Sequence, residues 1–211
     1  KIANELLYNE LNAAVQKRFP SLRYLSVARA GPWKLFTNKK LESFDDLKGM
    51  KIRAPEIEGV IAGLQQVGAK PTVIPFNELY GALQQGVVDG MATLGNLMIS
   101  QKFYEVVNYC YQNDWGIGLD KQMINQGTWD SLSATHQRVL VDTFNELEPT
   151  DFFRSTEDAE ITNFAKWREL KGEDSTPLLD ASAAQKTLEP AIRGLTDDIF
   201  GDGTYNRIQS I

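Results

Sequence analysis

Met50-Lys-Ile-Arg-Ala-Pro55 is a short apolar run closed by a proline, and it opens the most strongly patterned part of the chain. After it, Ile57, Val60, Ile61, Leu64 and Val67 fall on one stripe at helical spacing, with Gly68 at the position where helices reverse. The spacing predicts a helix over residues 56–68. Pro71-Thr-Val-Ile-Pro-Phe76 then reads as a strand bounded by prolines. Asn77 is the expected cap of a helix from Glu78 to Gln85 with Leu79, Ala82 and Leu83 inward, and Gly86 ends it before a strand at Val87-Val88. Arg53 to Thr93 is therefore expected to run strand, helix, strand, helix, strand. Such units build a sheet covered by helices, and ligands bind outside the carboxyl ends of its strands. That rule gathers Arg53, Phe76 and the segment after Asp89 around one crevice.

Upstream, Ile2, Leu6, Leu7, Leu11 and Val15 keep helical spacing before Pro20. A strand at Leu22 to Ala28, punctuation at Gly31-Pro32 and a second extended piece at Trp33 to Thr37 follow. Ser43 opens a single turn that Gly49 stops. Downstream, the pattern predicts a helix from Leu97 to Tyr104, strands near Val106 to Gln112 and Lys121 to Asn125, and a turn at Trp129 to Leu132. A long helical stretch capped by Ser133 comes next, with Val139, Leu140, Phe144 and Leu147 inward and a break at Pro149. It resumes with Phe152, Phe153, Ile161, Phe164, Trp167 and Leu170 and ends at Gly172. Glu173 to Thr176 reads as a polar linker, and Ser182 to Phe200 as a last helix containing Pro190.

The 211 residues carry 22 Lys plus Arg and 28 Asp plus Glu, a net charge of −6, and 42% are hydrophobic. This is enough chain for one large domain or two small ones with a proper core. No basic cluster exists to neutralise phosphates, so nucleic acid is not an expected partner. Cys110 and His136 are the only residues of their kinds, which removes an internal disulfide and an imidazole- or thiolate-rich metal site. No metal or cofactor is expected. No run approaches the roughly 18 apolar residues that span a bilayer, and Lys1-Ile-Ala-Asn-Glu lacks the apolar core of a signal peptide. The opening helix has no capping residue before it, which reads as an N-terminal truncation.

Few residues can carry chemistry. Arg53, at a strand end inside an apolar segment, offers a planar fork that holds a carboxylate by two parallel hydrogen bonds. The competing reading is a surface ion pair with Asp45, Asp46 or Glu56. Phe76 and Trp115 can wall a pocket, or simply pack in the core. Asp45-Asp46 and Asp197-Asp198 are neighbours on one turn and do not face each other across a substrate, as acid/base pairs must. His136 sits among polar residues near a helix start with no Ser/Asp constellation beside it. Gly59 and Gly63 lack the companions of a phosphate loop. An enzyme has no motif behind it.

Several stretches in order carry a family pattern: Asp46-Leu-Lys-Gly-Met-Lys-Ile-Arg-Ala-Pro55, Val67-Gly-Ala-Lys-Pro71, Asn77-Glu-Leu-Tyr-Gly-Ala-Leu-Gln-Gln-Gly-Val-Val-Asp-Gly90, Gln101-Lys-Phe-Tyr-Glu-Val106 and Thr128-Trp-Asp-Ser-Leu132. Across roughly residues 5 to 172 the chain resembles the DctP-type substrate-binding proteins of TRAP transporters. The resemblance implies an α/β, periplasmic-binding-protein-like fold, a two-lobed flytrap cut short here at the N-terminus of lobe one. It divides the chain into a remainder of lobe one (1–36), the main part of lobe two (37–95), crossover strands (96–125), a long interlobe helix (126–172) and a C-terminal helical segment (173–211). Tyr8 and Leu11 are then expected to be exposed for want of partner strands.

The family's role implies a periplasmic receptor that closes on a small organic acid and passes it to TRAP membrane subunits, without being membrane-embedded itself. Its carboxylate-clamping arginine falls on Arg53 and its pocket phenylalanine on Phe76. Thr93 stands where many members have a ligand-contacting asparagine, Asn96 follows it as a further contact, and Trp33 replaces a second arginine. An indole in place of a cation points to a monocarboxylate with an apolar body, such as a 2-oxo, hydroxy or aromatic acid, rather than a diacid. Trp33→Arg is then expected to shift preference toward diacids. Presentation of the ligand to a membrane sensor is the alternative role, and a small-acid enzyme the remote one.

Overall fold

The computed structural model describes residues 13–147 and 153–209. The opening amphipathic pattern up to Asn12, with Tyr8 and Leu11, and the break at Pro149 with Phe152 lie outside them; residues 13–18 are helical (α1). The chain forms two compact units, one of residues 1–31 and 117–159, the other of 32–116 and 160–211.

The first unit holds α1, the opening part of strand β1 (Leu22–Thr37), strand β6 (Ile117–Asn125), which pairs β1, and helices α4 (Gln126–Ser131) and α5 (Ala134–Leu147). The expected turn at Trp129 is helix α4 instead. Asn125 caps it by accepting from the Thr128 amide, and the Arg23 guanidinium lies 4.4 Å over the buried Trp129 ring. Ser133 caps α5 through His136 N–H as expected, but Val139 is 56% exposed rather than inward.

The second unit is a sheet in the order β3-β2-β4-β1-β5, with β2 (Lys51–Ala54), β3 (Lys70–Val73), β4 (Gly90–Leu94) and β5 (Tyr109–Cys110). Strand β2 is parallel to β3 and β4, as strand-helix-strand connections require, while β4 is antiparallel to β1. Side chains alternate between the two faces. Phe36, Met91 and Cys110 point to one face, where Leu79 and Leu83 of α3 (Phe76–Gln84) and Phe164 and Trp167 of α6 (Phe153–Lys171) cover them. Leu35, Ile52, Ala54 and Ala92 point to the other, under Leu64 of α2 (Glu58–Gln66), Leu179, and Leu188 of α7 (Ser182–Phe200). Each fully buried side chain of this kind contributes about 1.5–3 kcal/mol. Gly90 sits where β4 meets β1 so closely that a Cβ would lie 2.2 Å from the Phe36 carbonyl oxygen, which accounts for a glycine after Asp89.

Several expected boundaries move, each because a tertiary partner overrides local preference. Leu22 to Thr37 is one strand, not two pieces: Gly31, at φ 114°, turns the backbone without ending it, and new partners take over on either side. Helix α3 starts at Phe76 behind Pro75, whose carbonyl accepts from Glu78 N–H, so Asn77 lies inside the first turn and caps nothing. Val87-Val88 is not a strand. Val88 is a buried anchor in a bend, and the ladder begins only after Asp89, whose carboxylate accepts from Lys51 N–H. The expected helix from Leu97 to Tyr104 is two short 3-10 turns, Gly95–Leu97 and Phe103–Glu105, separated by Lys102 in the left-handed region. In α6, Phe164 and Trp167 are buried, but Ile161 and Leu170 face solvent. Among the described residues of 126–172 the helices are α4, α5 and α6, and Glu173 to Thr176 is not a solvated linker, since Ser175 and Thr176 are buried. A final helix, α8 (Thr204–Gln209), gave no separate signal.

Candidate functional site

Arg53 stands on β2 between two strands, in register with Thr72 of β3 and Met91 of β4, and its side chain is 3% exposed. Nε donates to the Ile74 carbonyl at 2.9 Å and Nη1 to the Ala92 carbonyl at 3.3 Å. Two main-chain acceptors from neighbouring strand ends thus fix the guanidinium plane, while Nη2 and the second Nη1 hydrogen remain available. The acids that competed for Arg53 are engaged elsewhere or exposed: Asp45 pairs with Lys48 at 2.9 Å, Asp46 accepts from the Glu42 and Ser43 amides, and Glu56 faces solvent. Burial depresses the guanidinium's pKa, with no carboxylate opposing that shift. Arg53 is a buried cation without an ion-pair partner among the described residues.

Strand alternation sorts the other candidates. Arg53 shares a face with Met91 and hence with Thr93, two residues further along β4 and 2% exposed. Phe76 follows Ile74 by two residues, opens α3 on the same side, and meets Phe103 edge-on at 6.3 Å while remaining 44% exposed. An exposed aromatic beside an anchored cation offers an apolar wall and a charge together. Asn96 sits in the 3-10 turn after β4, its carbonyl accepting from the Asn163 amide at 2.9 Å. Arg53, Phe76 and Thr93 are therefore brought to one side of the sheet.

Trp33 and Trp115 are brought to each other instead. Trp115 N–H donates to the Trp33 carbonyl at 2.9 Å, and the Trp115 ring meets Phe44 edge-on at 5.6 Å. Trp33 pairs with Leu94, one residue out of phase with Thr93, so its Cβ leaves the sheet on the face opposite Arg53. A groove of about 440 Å³ between Ser43, Lys48, Gln65, Asp180 and Thr187 involves none of the six candidates.

Lys34 is a further buried cation, outside the residues that the sequence marks. It pairs with Thr93 across β1 and β4, is 2% exposed, and its Nζ contacts the Gln112 carbonyl, Asp114 and Glu160. A lysine inside Trp33-Lys-Leu-Phe36 was the available signal, because alternation along an apolar strand forces it inward. Among the described residues no group of three or more His, Cys, Asp or Glu forms a metal cluster.

Residues 1–193 match the family model described as bacterial extracellular solute-binding protein, family 7. The chain belongs to this family. A curated relative, the sialic acid-binding periplasmic protein SiaP of Vibrio cholerae serotype O1, is 29% identical over 131 residues, covering 62% of this chain and 41% of its own length. The C4-dicarboxylate-binding periplasmic protein DctP of the same organism is 30% identical over 139 residues, covering 65% and 41%. A crystal structure of a TRAP periplasmic solute binding protein from Desulfovibrio salexigens with bound orotic acid aligns with a TM-score of 0.85 and 26% identity, over 99% of this chain and 68% of that one. The expected α/β fold of the periplasmic solute-binding proteins is thus the fold of this chain, which spans less than half the length of the two curated relatives.

Proposed function

We propose that this chain acts in a TRAP-type periplasmic solute receptor, in which it holds a small organic monocarboxylate on Arg53 for delivery to the membrane subunits of the transporter. The observation that carries the reading is the buried, oriented and unpaired guanidinium of Arg53. An isolated buried charge is costly, so a site that keeps one gains by accepting an anion. A carboxylate on the free edge of the fork makes two charge-assisted hydrogen bonds. Phe76 covers the ligand's apolar body, and Thr93 supplies a hydroxyl on the same face. The orotate in the Desulfovibrio salexigens protein is a planar monocarboxylate of this kind, and it is the first ligand to try. The reading is of a receptor rather than an enzyme, in keeping with a family of solute-binding proteins.

A thermal-shift comparison of orotate with uracil, the same ring without its carboxylate, tests it, run beside a panel of hydroxy and 2-oxo acids. A ligand at about 1,000 times its dissociation constant adds roughly 4 kcal/mol, or about 8–16 °C for a chain of this size. Acids that raise the melting temperature where uracil does not support the reading. A neutral analogue stabilising as well as its acid overturns the carboxylate clamp.

A further inference from the structure

The backbone passes between the two units three times, at Gly31/Pro32, Gly116/Ile117 and Ala159/Glu160. The first two passages occur at glycines with positive φ, 114° and 146°, a region that other residues rarely enter. The third occurs within helix α6. Just inside the second unit, all three converge on one atom. Lys34, three residues past the first passage, directs Nζ at the Gln112 carbonyl at 2.8 Å and at the Asp114 carboxylate, both shortly before the second. Its remaining hydrogen reaches the Glu160 carboxylate at 2.8 Å, on the first residue after the third. All three ammonium hydrogens are used, and Phe164, one helical turn beyond Glu160, lies under the ammonium at 5.1 Å. The first two passages are also laced together, since Trp33 N–H donates to the Gly116 carbonyl and Trp115 N–H to the Trp33 carbonyl, each at 2.9 Å.

We propose that Lys34 is the tether of a hinge: its ammonium fastens all three backbone passages to the second unit and confines bending to Gly31, Gly116 and the turn of α6 before Glu160. Lys34 is a positioning residue in this account and touches no ligand. The functional meaning of the hinge rests on the solute-receptor reading, but the tether itself does not. A buried lysine with two carboxylates carries a net negative charge and adds little to folding over a well-packed apolar residue. Its geometry, joining segments 78 residues apart in sequence, fixes where the chain is rigid.

Hydrogen exchange on the free protein tests this without any ligand. Lys34→Met is expected to raise amide exchange by about tenfold, the worth of one charged hydrogen bond, at residues 31–34, 113–117 and 160–164 together. Amides of β2 and β4 are expected to stay as in the parent. Unchanged exchange at the three segments overturns the tether, and so does an even rise across β2 and β4, which marks a purely structural core residue. Should Lys34→Met not fold, Glu160→Gln carries the test: it is expected to loosen 160–164 alone, since Asp114 and the Gln112 carbonyl still hold the lysine. Unaltered exchange at 160–164 in that variant overturns the proposal equally.

Discussion

The Arg53 Nε and the Ile74 carbonyl oxygen lie 2.9 Å apart, and this bond joins the end of β2 to the loop that leads into Phe76. One contact therefore orients the cation and ties it to the segment that carries the aromatic wall. Because Ala92 holds the other side of the fork, the guanidinium is oriented before any ligand arrives, and little side-chain entropy is lost when one binds.

Replacing the arginine separates binding from folding. Arg53→Met removes a buried unpaired charge but takes one donor each from the Ile74 and Ala92 carbonyls, so the two effects offset. Ligand-free stability is expected to stay within about 1 kcal/mol, a change of roughly 2–4 °C in melting temperature. A loss above about 3 kcal/mol in chemical denaturation would make Arg53 a structural residue.

Phe76 and Phe103 form a matched pair with opposite expectations. Phe76 is 44% exposed and Phe103 2% exposed. Phe76→Ala is expected to cost only about 0.5–1.5 kcal/mol of stability, the worth of an aromatic edge contact, while weakening acid binding about tenfold. Phe103→Ala is expected to cost about 3–5 kcal/mol. Titration and urea unfolding of both variants check the contrast.

The sheet parity of Thr93 and Trp33 bears on ligand choice. Thr93→Val keeps the volume and removes the hydroxyl on the Arg53 side, and it is expected to lower acid affinity several-fold. Trp33→Phe, on the other face, is expected to change it by less. The diacid preference expected of Trp33→Arg requires the new side chain to reach around the strand edge. Competition binding with a monoacid and a diacid ranks the three variants, and a larger effect at Trp33 than at Thr93 would reverse the assignment.

Tyr111 supports the loop before Ser43. Its hydroxyl accepts from Leu41 N–H at 2.6 Å and lies 3.3 Å from the Thr37 hydroxyl. Tyr111→Phe strands the Leu41 amide and is expected to cost about 1–3 kcal/mol. Burial first of all raises the phenol's pKa in the fold. The folded state therefore binds the proton more tightly than the unfolded one, and this contribution is present below the ordinary tyrosine value of about 10 and fades as pH rises through it. Thermal melts of the parent are expected to fall above that pH more steeply than those of Tyr111→Phe.

Cys110 is fully buried, and desolvation pushes its thiol far above the usual range. It is expected to react with iodoacetamide only as fast as the second unit unfolds. Rapid labelling of the folded protein would contradict the packing around Met98 and Trp167.

What the sequence conveyed follows from which signals are local. The β2–α2–β3 run was legible because Ile57, Val60, Ile61 and Leu64 share a helical stripe and Gly68 takes φ 81° where a stop was expected. Arg53 stood out as a charge in an apolar strand. The continuity of β1 was hidden because Gly31-Pro32 resembles a break, and only pairing with strands far along the chain shows otherwise. The role of Lys34 is not legible in the sequence because its partners, Asp114 and Glu160, lie 80 and 126 residues away in the chain. Short-range patterning carries no record of such partners.

Calorimetric titration of the acid that gives the largest thermal shift, into the parent and into Arg53→Met of verified fold, tests the central claim most directly. The account predicts measurable binding to the parent and a loss of about a hundredfold or more in the variant, from two charge-assisted hydrogen bonds at roughly 1.5–3 kcal/mol each. Equal affinity in the two proteins would contradict it and place the carboxylate somewhere other than Arg53.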